Sequence, residues 1–255
     1  MKNRSLRSVA LPIKRREMLG FMGGAAVVSL LGCQRTANSV ASGVAAQPAE
    51  TPDLPACVVS PEQTEGPYFV EEALNRSDIR TDPTDGSIKP GVPLQLVLQV
   101  SQVNASACQP LAGAIVDVWH CDAEGVYSDV VDRSFNTQGQ RFLRGSQITD
   151  SDGRVEFMTI YPGWYRGRAV HIHFKIRNRP AQDSAQGYEF TSQLYFDDAV
   201  SDQVHTQVPY RRRGQRDMRN ARDRIYQGGG EQLMLQLTSA ETGYIGTFEI
   251  GLKTA

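Results

Sequence analysis

The chain has 255 residues, 40% of them hydrophobic, with 27 Lys and Arg against 28 Asp and Glu. That is apolar material for one sizeable core or two small ones, and it excludes intrinsic disorder, collagen and coiled coil. Charge is unevenly placed: residues 1–32 hold six basic side chains (Lys2, Arg4, Arg7, Lys14, Arg15, Arg16) and one acid (Glu17), so without them the net charge moves from −1 to −6. An acidic body speaks against nucleic acid as a partner, because polyanion binding rests on clustered positive charge.

The first apolar run, MLGFMGGAAVVSLLG over 18–32, follows that basic stretch. It is shorter than the ~20 residues a membrane-spanning helix needs. A basic region followed by a short apolar one predicts an export signal over 1–32, and the pair Arg15-Arg16 with Met18 and Leu19 after it points to the twin-arginine route. LLGC resembles a lipoprotein processing box, which makes Cys33 the expected lipid anchor and the expected attachment to a membrane; a cleaved signal with an incidental Cys33 is the other reading. The expected location is therefore exported: periplasmic, or anchored and facing the cell exterior side. Residues 33–56, rich in Ala, Ser, Thr, Pro and Gln, read as a flexible tether, and 57–255 as the folded domain.

The body reads as β-structure. LQLVLQV (94–100) and AIVDVW (114–119) alternate at a period of two, and VEFMTI (155–160), VHIHFKI (170–176), QLYF (193–196), LMLQL (233–237) and IGTFEIGL (245–252) continue the series. Short strands separated by Gly, Pro, Asp and Asn, without a convincing amphipathic helix of ten or more residues, predict an all-β fold, an antiparallel sandwich or barrel. The longer irregular segments, 120–147 and 197–230, are of a length that usually carries function.

In VHIHFKI the alternation sends Val170, Ile172, Phe174 and Ile176 to one face and His171, His173 and Lys175 to the other. Two imidazoles about 6 to 7 Å apart along a strand can bond one metal ion; a strand showing its wet face to solvent has the same pattern. YPGWYRGR, immediately before, brings two tyrosines and two arginines alongside. Of the cysteines in the body, Cys108 and Cys121 bracket the 114–119 strand and lie roughly 40 Å apart if extended, beyond the ~7 Å Cα limit of a disulfide. Cys57 with Cys108 is the favoured bridge, leaving Cys121 buried near the loop that follows the strand.

PEQTEGPYFV (61–70), GAIVDVWHCDAEGVYSD (113–129), FLRGSQITDSDGRVEFMTIYPGWYRGRAVHIHFKI (142–176) and TSQLYF (191–196) together resemble the intradiol ring-cleavage dioxygenases, non-haem Fe(III) enzymes of aromatic catabolism. The resemblance implies an antiparallel β-sandwich with long functional loops. It also implies iron held by Tyr127, Tyr165, His171 and His173, with Arg168 and Gln193 in the catalytic machinery and Tyr165 as the releasable ligand. The implied reaction is cleavage by O2 of a catechol-type ring between its two hydroxyl-bearing carbons, giving a muconate-type diacid. The arginine-rich stretch 209–226 and the leader depart from the cytoplasmic members and resemble a secreted branch.

The ligand set is chemically coherent. A phenol of pKa near 10 binds as an anion only to a strongly charged metal, whereas zinc favours Cys, His and carboxylate and Fe(II) oxygenases commonly use two His and one carboxylate. Other readings stay open at this point. Tyr161 and Tyr165 also read as packing aromatics, Tyr127 as a surface tyrosine, Arg168 as a solvated arginine, and Trp119 and Trp164 as core or pocket wall. The seven arginines from Arg211 to Arg224, interleaved with Asp217 and Asp223, read as a solvated or interface loop, and His120 and His205 have no paired spacing. Two further functions compete: an exported sandwich that binds carbohydrate or phenolic polymer without catalysis, and a two-histidine zinc or copper lipoprotein.

Overall fold

Leu94, Leu96, Leu98 and Val100 are all fully buried on one face of strand β1 (Pro93–Val103) while the residues between them are half-buried, the period of two expected of a strand with one face on a core. The computed structural model describes residues 58–253 except 73, 105–106 and 179–186. The expectations placed on 1–32, 33–56, Cys33 and Cys57 fall outside these residues. The described residues belong to the unit Glu50–Ala255.

Around β1 one sheet assembles: β2 (Cys108–Pro110) and β5 (Arg154–Ile160) share one of its edges, and β9 (Tyr244–Leu252) takes the other, with β8 (Gln236–Ser239) beyond it. A second sheet runs β4 (Arg144–Ile148), β3 (Ile115–Trp119), β6 (His171–Arg177), β7 (Glu189–Tyr195). The inward side chains of both meet in one core, with Leu96, Leu98 and Phe157 from the first sheet packed among Val116, Ile172 and Phe174 from the second. The fold is an all-β sandwich.

Several details differ from the sequence reading. β1 and β9 pair in parallel, and β9 holds β8 on its other edge in an antiparallel hairpin. The strand expected over 233–237 divides into a 3-10 turn, Gly230–Leu233, and β8. β4 lies inside what reads as sequence for an irregular segment, since Arg144 and Gly145 interrupt the apolar alternation although both are buried. A single α-helix among the described residues, α1 (Asp198–His205), follows β7 and is capped by the Asp197 side chain. Cys108 is disulfide-bonded and Cys121 is a free, buried thiol.

Because β1 contacts three strands, its core side chains have no room to relax. Leu96→Ala should lower the unfolding free energy by about 2–5 kcal/mol, read by urea denaturation; a change below about 0.5 kcal/mol, the range of a surface substitution, would contradict this packing.

Candidate active site

β6 sends Ile172, Phe174 and Ile176 into the core, so His171 and His173 point to the outer face of their sheet. That face is not wet: His171 is 2% and His173 1% exposed. It is roofed by the segment 61–70, by the loop after β3 and by the loop between β5 and β6. Gln193 on β7 donates from Nε2 to the Thr64 carbonyl (2.8 Å), tying down the first of these. Phe69 then packs on Trp119, and Trp119 lies flat on the His173 ring, centroids 4.9 Å apart and planes 6° apart.

The loops that carry Tyr127 and Tyr165 touch backbone to backbone. Gly163 N–H donates to the Asp122 carbonyl (3.1 Å), and a Cβ at Gly163 would sit 2.5 Å from that oxygen. Gly125, at φ +79°, lies so near the Trp164 carbonyl that a Cβ there would approach to 2.2 Å. Tyr127 is fixed from behind. Thr137 Oγ1 donates to its carbonyl (2.6 Å), and the buried guanidinium of Arg144 donates from Nη2 to the carbonyl of Ser128 (2.6 Å). Tyr68 stacks on the Tyr127 ring at 4.5 Å and donates its hydroxyl to Asp132 (3.0 Å).

All four residues expected as ligands come together. His171 Nδ1 lies 2.7 Å from the Ala169 carbonyl; a carbonyl only accepts, so Nδ1 carries the proton and Nε2 presents its lone pair. That Nε2 faces His173 Nε2 at 3.0 Å and the Tyr165 hydroxyl at 3.2 Å. The Tyr127 hydroxyl is buried with no hydrogen-bond partner, as is His173 Nδ1. The Tyr127 and Tyr165 rings meet edge to face at 5.7 Å. Arg168 and Gln193 join the group. Arg168 donates from Nη2 to Gln193 Oε1 (2.6 Å) and from Nη1 toward Tyr165 Oη (3.4 Å), while its Nε donates to Asp223 (2.9 Å).

The electrostatics suit neutral nitrogen donors and phenols. Burial drives the His171 pKa down to about 3 and holds His173 well below the usual imidazole range, with Arg168 adding to both. Burial likewise pushes both Tyr127 and Tyr165 above the ordinary phenol, Arg168 opposing it at Tyr165. Asp223 is the exception. Burial pushes its carboxyl up, but hydrogen bonds from Ala169 and the charge of Arg168 outweigh it and hold the pKa low. Neither phenol ionises here without a strong cation beside it. Among the described residues no group of three or more His, Cys, Asp or Glu gathers to hold a metal, so a cation at this place draws on tyrosine. Two imidazole lone pairs, an unpartnered buried phenol and a second phenol fit a trivalent, oxygen-preferring ion.

Trp119, read from the sequence as core or pocket wall, forms the wall behind His173. Sequence reasoning missed two contributors. Tyr195, whose hydroxyl lies 2.8 Å from Gln63 Oε1 and 3.1 Å from Gln193 Oε1, sits two residues after Gln193. Asp223 gave no signal beyond its place among arginines. His120 and His205 each place a ring nitrogen on a backbone carbonyl.

A profile of the family described as Dioxygenase matches residues 64–227. An intradiol ring-cleavage dioxygenase from Tetranychus urticae is 31% identical with a TM-score of 0.65, over 77% of this chain and 95% of that one. Chlorocatechol 1,2-dioxygenase of Pseudomonas putida is 30% identical over 153 residues, 52% of each chain. The protocatechuate 3,4-dioxygenase beta chain of Burkholderia cepacia is 31% identical over 139 residues, 51% of this chain and 56% of that one. This chain therefore spans about half the length of the curated relatives it matches. It belongs to the intradiol ring-cleavage dioxygenase family.

His120 sets an acid limit on the fold beside this site. Nδ1 donates to the Cys121 carbonyl (2.8 Å), Nε2 accepts from Thr159 (2.7 Å), and burial lowers its pKa from 6.5 to about 4. Above pH 6.5 the ring is neutral folded or unfolded; below it the unfolded chain takes the proton first, so stability is lost as pH falls from 6.5 through 4. The loss is about 3 kcal/mol. Urea denaturation at pH 7.5 and 4 should show a stability drop smaller by that amount in His120→Gln; an identical drop in both proteins would refute it.

Proposed function

We propose that this chain is a non-haem Fe(III) dioxygenase that opens a catechol-type ring between its hydroxyl-bearing carbons, placing both atoms of O2 in a muconate-type diacid. The observation that carries it is the convergence of His171 Nε2, His173 Nε2 and Tyr165 Oη within 3.0–3.2 Å of one another beside the unpartnered Tyr127 hydroxyl. Tyr127, Tyr165, His171 and His173 would hold the iron. When bound it supplies the charge that ionises phenol and catechol and opens the ring to O2. The names of the related proteins support the catechol class.

The chain's own residues supply the rest. Tyr68, Phe69, Trp119, Tyr127, Phe135 and Tyr165 form one aromatic cluster, which receives a planar ring and keeps bulk water from the reacting atoms. Tyr165 would be the releasable ligand, its Oη able to accept one proton from an incoming catechol. The Tyr165 hydroxyl meets His171 and Arg168. The Arg168 guanidinium faces the negative charge that builds on the ring and is already oriented before reaction. Gln193 accepts from Arg168 and keeps Nη2 turned inward.

Iron-loaded protein should be red-brown from phenolate-to-iron charge transfer, with the band moving to longer wavelength on adding catechol. Oxygen uptake with identification of the diacid tests the reaction. Tyr165→Phe should keep iron and turn over slowly, His171→Ala or His173→Ala should lose most of the metal, and Arg168→Ala should lose about a hundredfold in kcat, ~3 kcal/mol. A colourless loaded protein, or a Tyr165→Phe form with unchanged colour and turnover, would refute the assignment.

The pattern of residues 1–33 supports the reading that this enzyme is exported by the twin-arginine route and tethered through Cys33. Lys at both Arg15 and Arg16 should strand precursor in the cytoplasm, and Cys33→Ala should free the exported form from the membrane fraction. Normal export of the double-Lys form would end that reading.

A further inference from the structure

Asp223 lies in the arginine-rich stretch, between the 3-10 turns Asn220–Arg222 and Tyr226–Gly228, and is 1% exposed. Its two oxygens have separate partners. Oδ1 accepts from the backbone N–H groups of Ile225 (2.8 Å) and Tyr226 (3.3 Å) and so closes its own turn. Oδ2 accepts from Arg168 Nε (2.9 Å) and from the Ala169 N–H (2.8 Å), at the entry to β6. The turn itself is fastened to the roof of the site by Gln63, which donates from Nε2 to the Ile225 carbonyl (2.9 Å).

We infer that Asp223 is the positioning residue for Arg168, gripping Nε and the next backbone amide so that the two terminal nitrogens stay on Gln193 and Tyr165. The inference rests on the role given to Arg168 above. Arginine has rotamer freedom to lose, and a guanidinium held on one side by Nε has little left. Stability alone does not explain such a pair, since burying both ions costs about what their attraction returns. Orientation does: the same carboxylate oxygen binds the side chain of Arg168 and the backbone of Ala169, whose carbonyl fixes the tautomer of His171. One acid therefore aligns a cation and a strand entry together.

Asp223→Asn separates the two duties. It leaves an oxygen for Ile225 and Tyr226 and places an NH2 donor against the donors of Arg168 and Ala169. In the iron-loaded full chain, kcat for catechol should fall about tenfold with little change in KM. In an Arg168→Lys background the same substitution should cost less than about twofold, the mark of coupled residues. The crystal structure of Asp223→Asn should show the guanidinium turned away from Gln193. Wild-type kcat in folded Asp223→Asn, or an equal loss in both backgrounds, would overturn the inference. Where Asp223→Asn does not fold, Asp223→Glu decides: turnover preserved with Arg168 displaced overturns it, and turnover that falls with that displacement supports it. A wild type that cleaves no catechol sinks the proposed function instead. In that event the crystal structure still decides, and Arg168 unmoved on Gln193 in Asp223→Asn overturns the positioning.

Discussion

Two imidazole nitrogens 3.0 Å apart in a dry pocket are the constraint around which the rest of this molecule is arranged. Neither ring has access to water, and burial keeps both neutral. His171 spends Nδ1 on a backbone carbonyl, so its lone pair has to be turned inward. Holding polar atoms this way costs free energy unless something compensates. The sandwich core beneath β6 makes it affordable: Val170, Ile172, Phe174 and Ile176 fix the strand from the other side. The period of two along one strand is thus the link between hydrophobic burial and a donor set.

The roof over the pair is made by loops that pack on one another as tightly as strands do. Gly125 and Gly163 each stand where a Cβ would strike a backbone carbonyl of the opposite loop, so the two tyrosine-bearing loops are set by mutual contact. Tyr127 gains a fixed carbonyl from Thr137, a neighbour clamped by Arg144, and a ring stacked on it from the segment 61–70. A phenol restrained from three directions with its hydroxyl unpartnered is preorganised as a donor. Tyr165 differs, since its hydroxyl already meets His171 and Arg168. The two tyrosines are therefore unequal before anything binds, which fits one that stays and one that leaves.

What was legible in the sequence was the part written in short-range pattern. The alternation of β1, β5 and β6 and the His-x-His placement follow from a period of two, and the fold class and the pair of histidines follow from those. β4 was illegible because Arg144 and Gly145 sit where the alternation calls for apolar side chains; both are buried for the sake of the Ser128 clamp and close packing on Ile79. The parallel β1–β9 pairing joins residues about 150 positions apart, a contact no local window contains. The tyrosines, Arg168 and Gln193 were reachable through family resemblance alone, since nothing in spacing separates Tyr165 from Tyr161. Tyr161 in fact lies in the core with its hydroxyl on Ser201 (2.8 Å).

The arginine-rich stretch shows how a segment dense in charge can be fastened to a buried site. Its charges are mostly put to structural use. Arg216, with a side chain 4% exposed, is held by Asp198 and Asp202 of α1, and Arg219 adds a second contact to Asp202. Arg212 reaches Glu124 in the loop that carries Tyr127, and Asp217 takes Arg166 beside Tyr165. Exposed pairs such as the last two contribute little to stability, yet those two tie the stretch to the two tyrosine loops. That brings the turn at Asp223 against Arg168. A stretch tied by weak ion pairs to both tyrosine loops thus carries one buried carboxylate against Arg168 and the entry to β6.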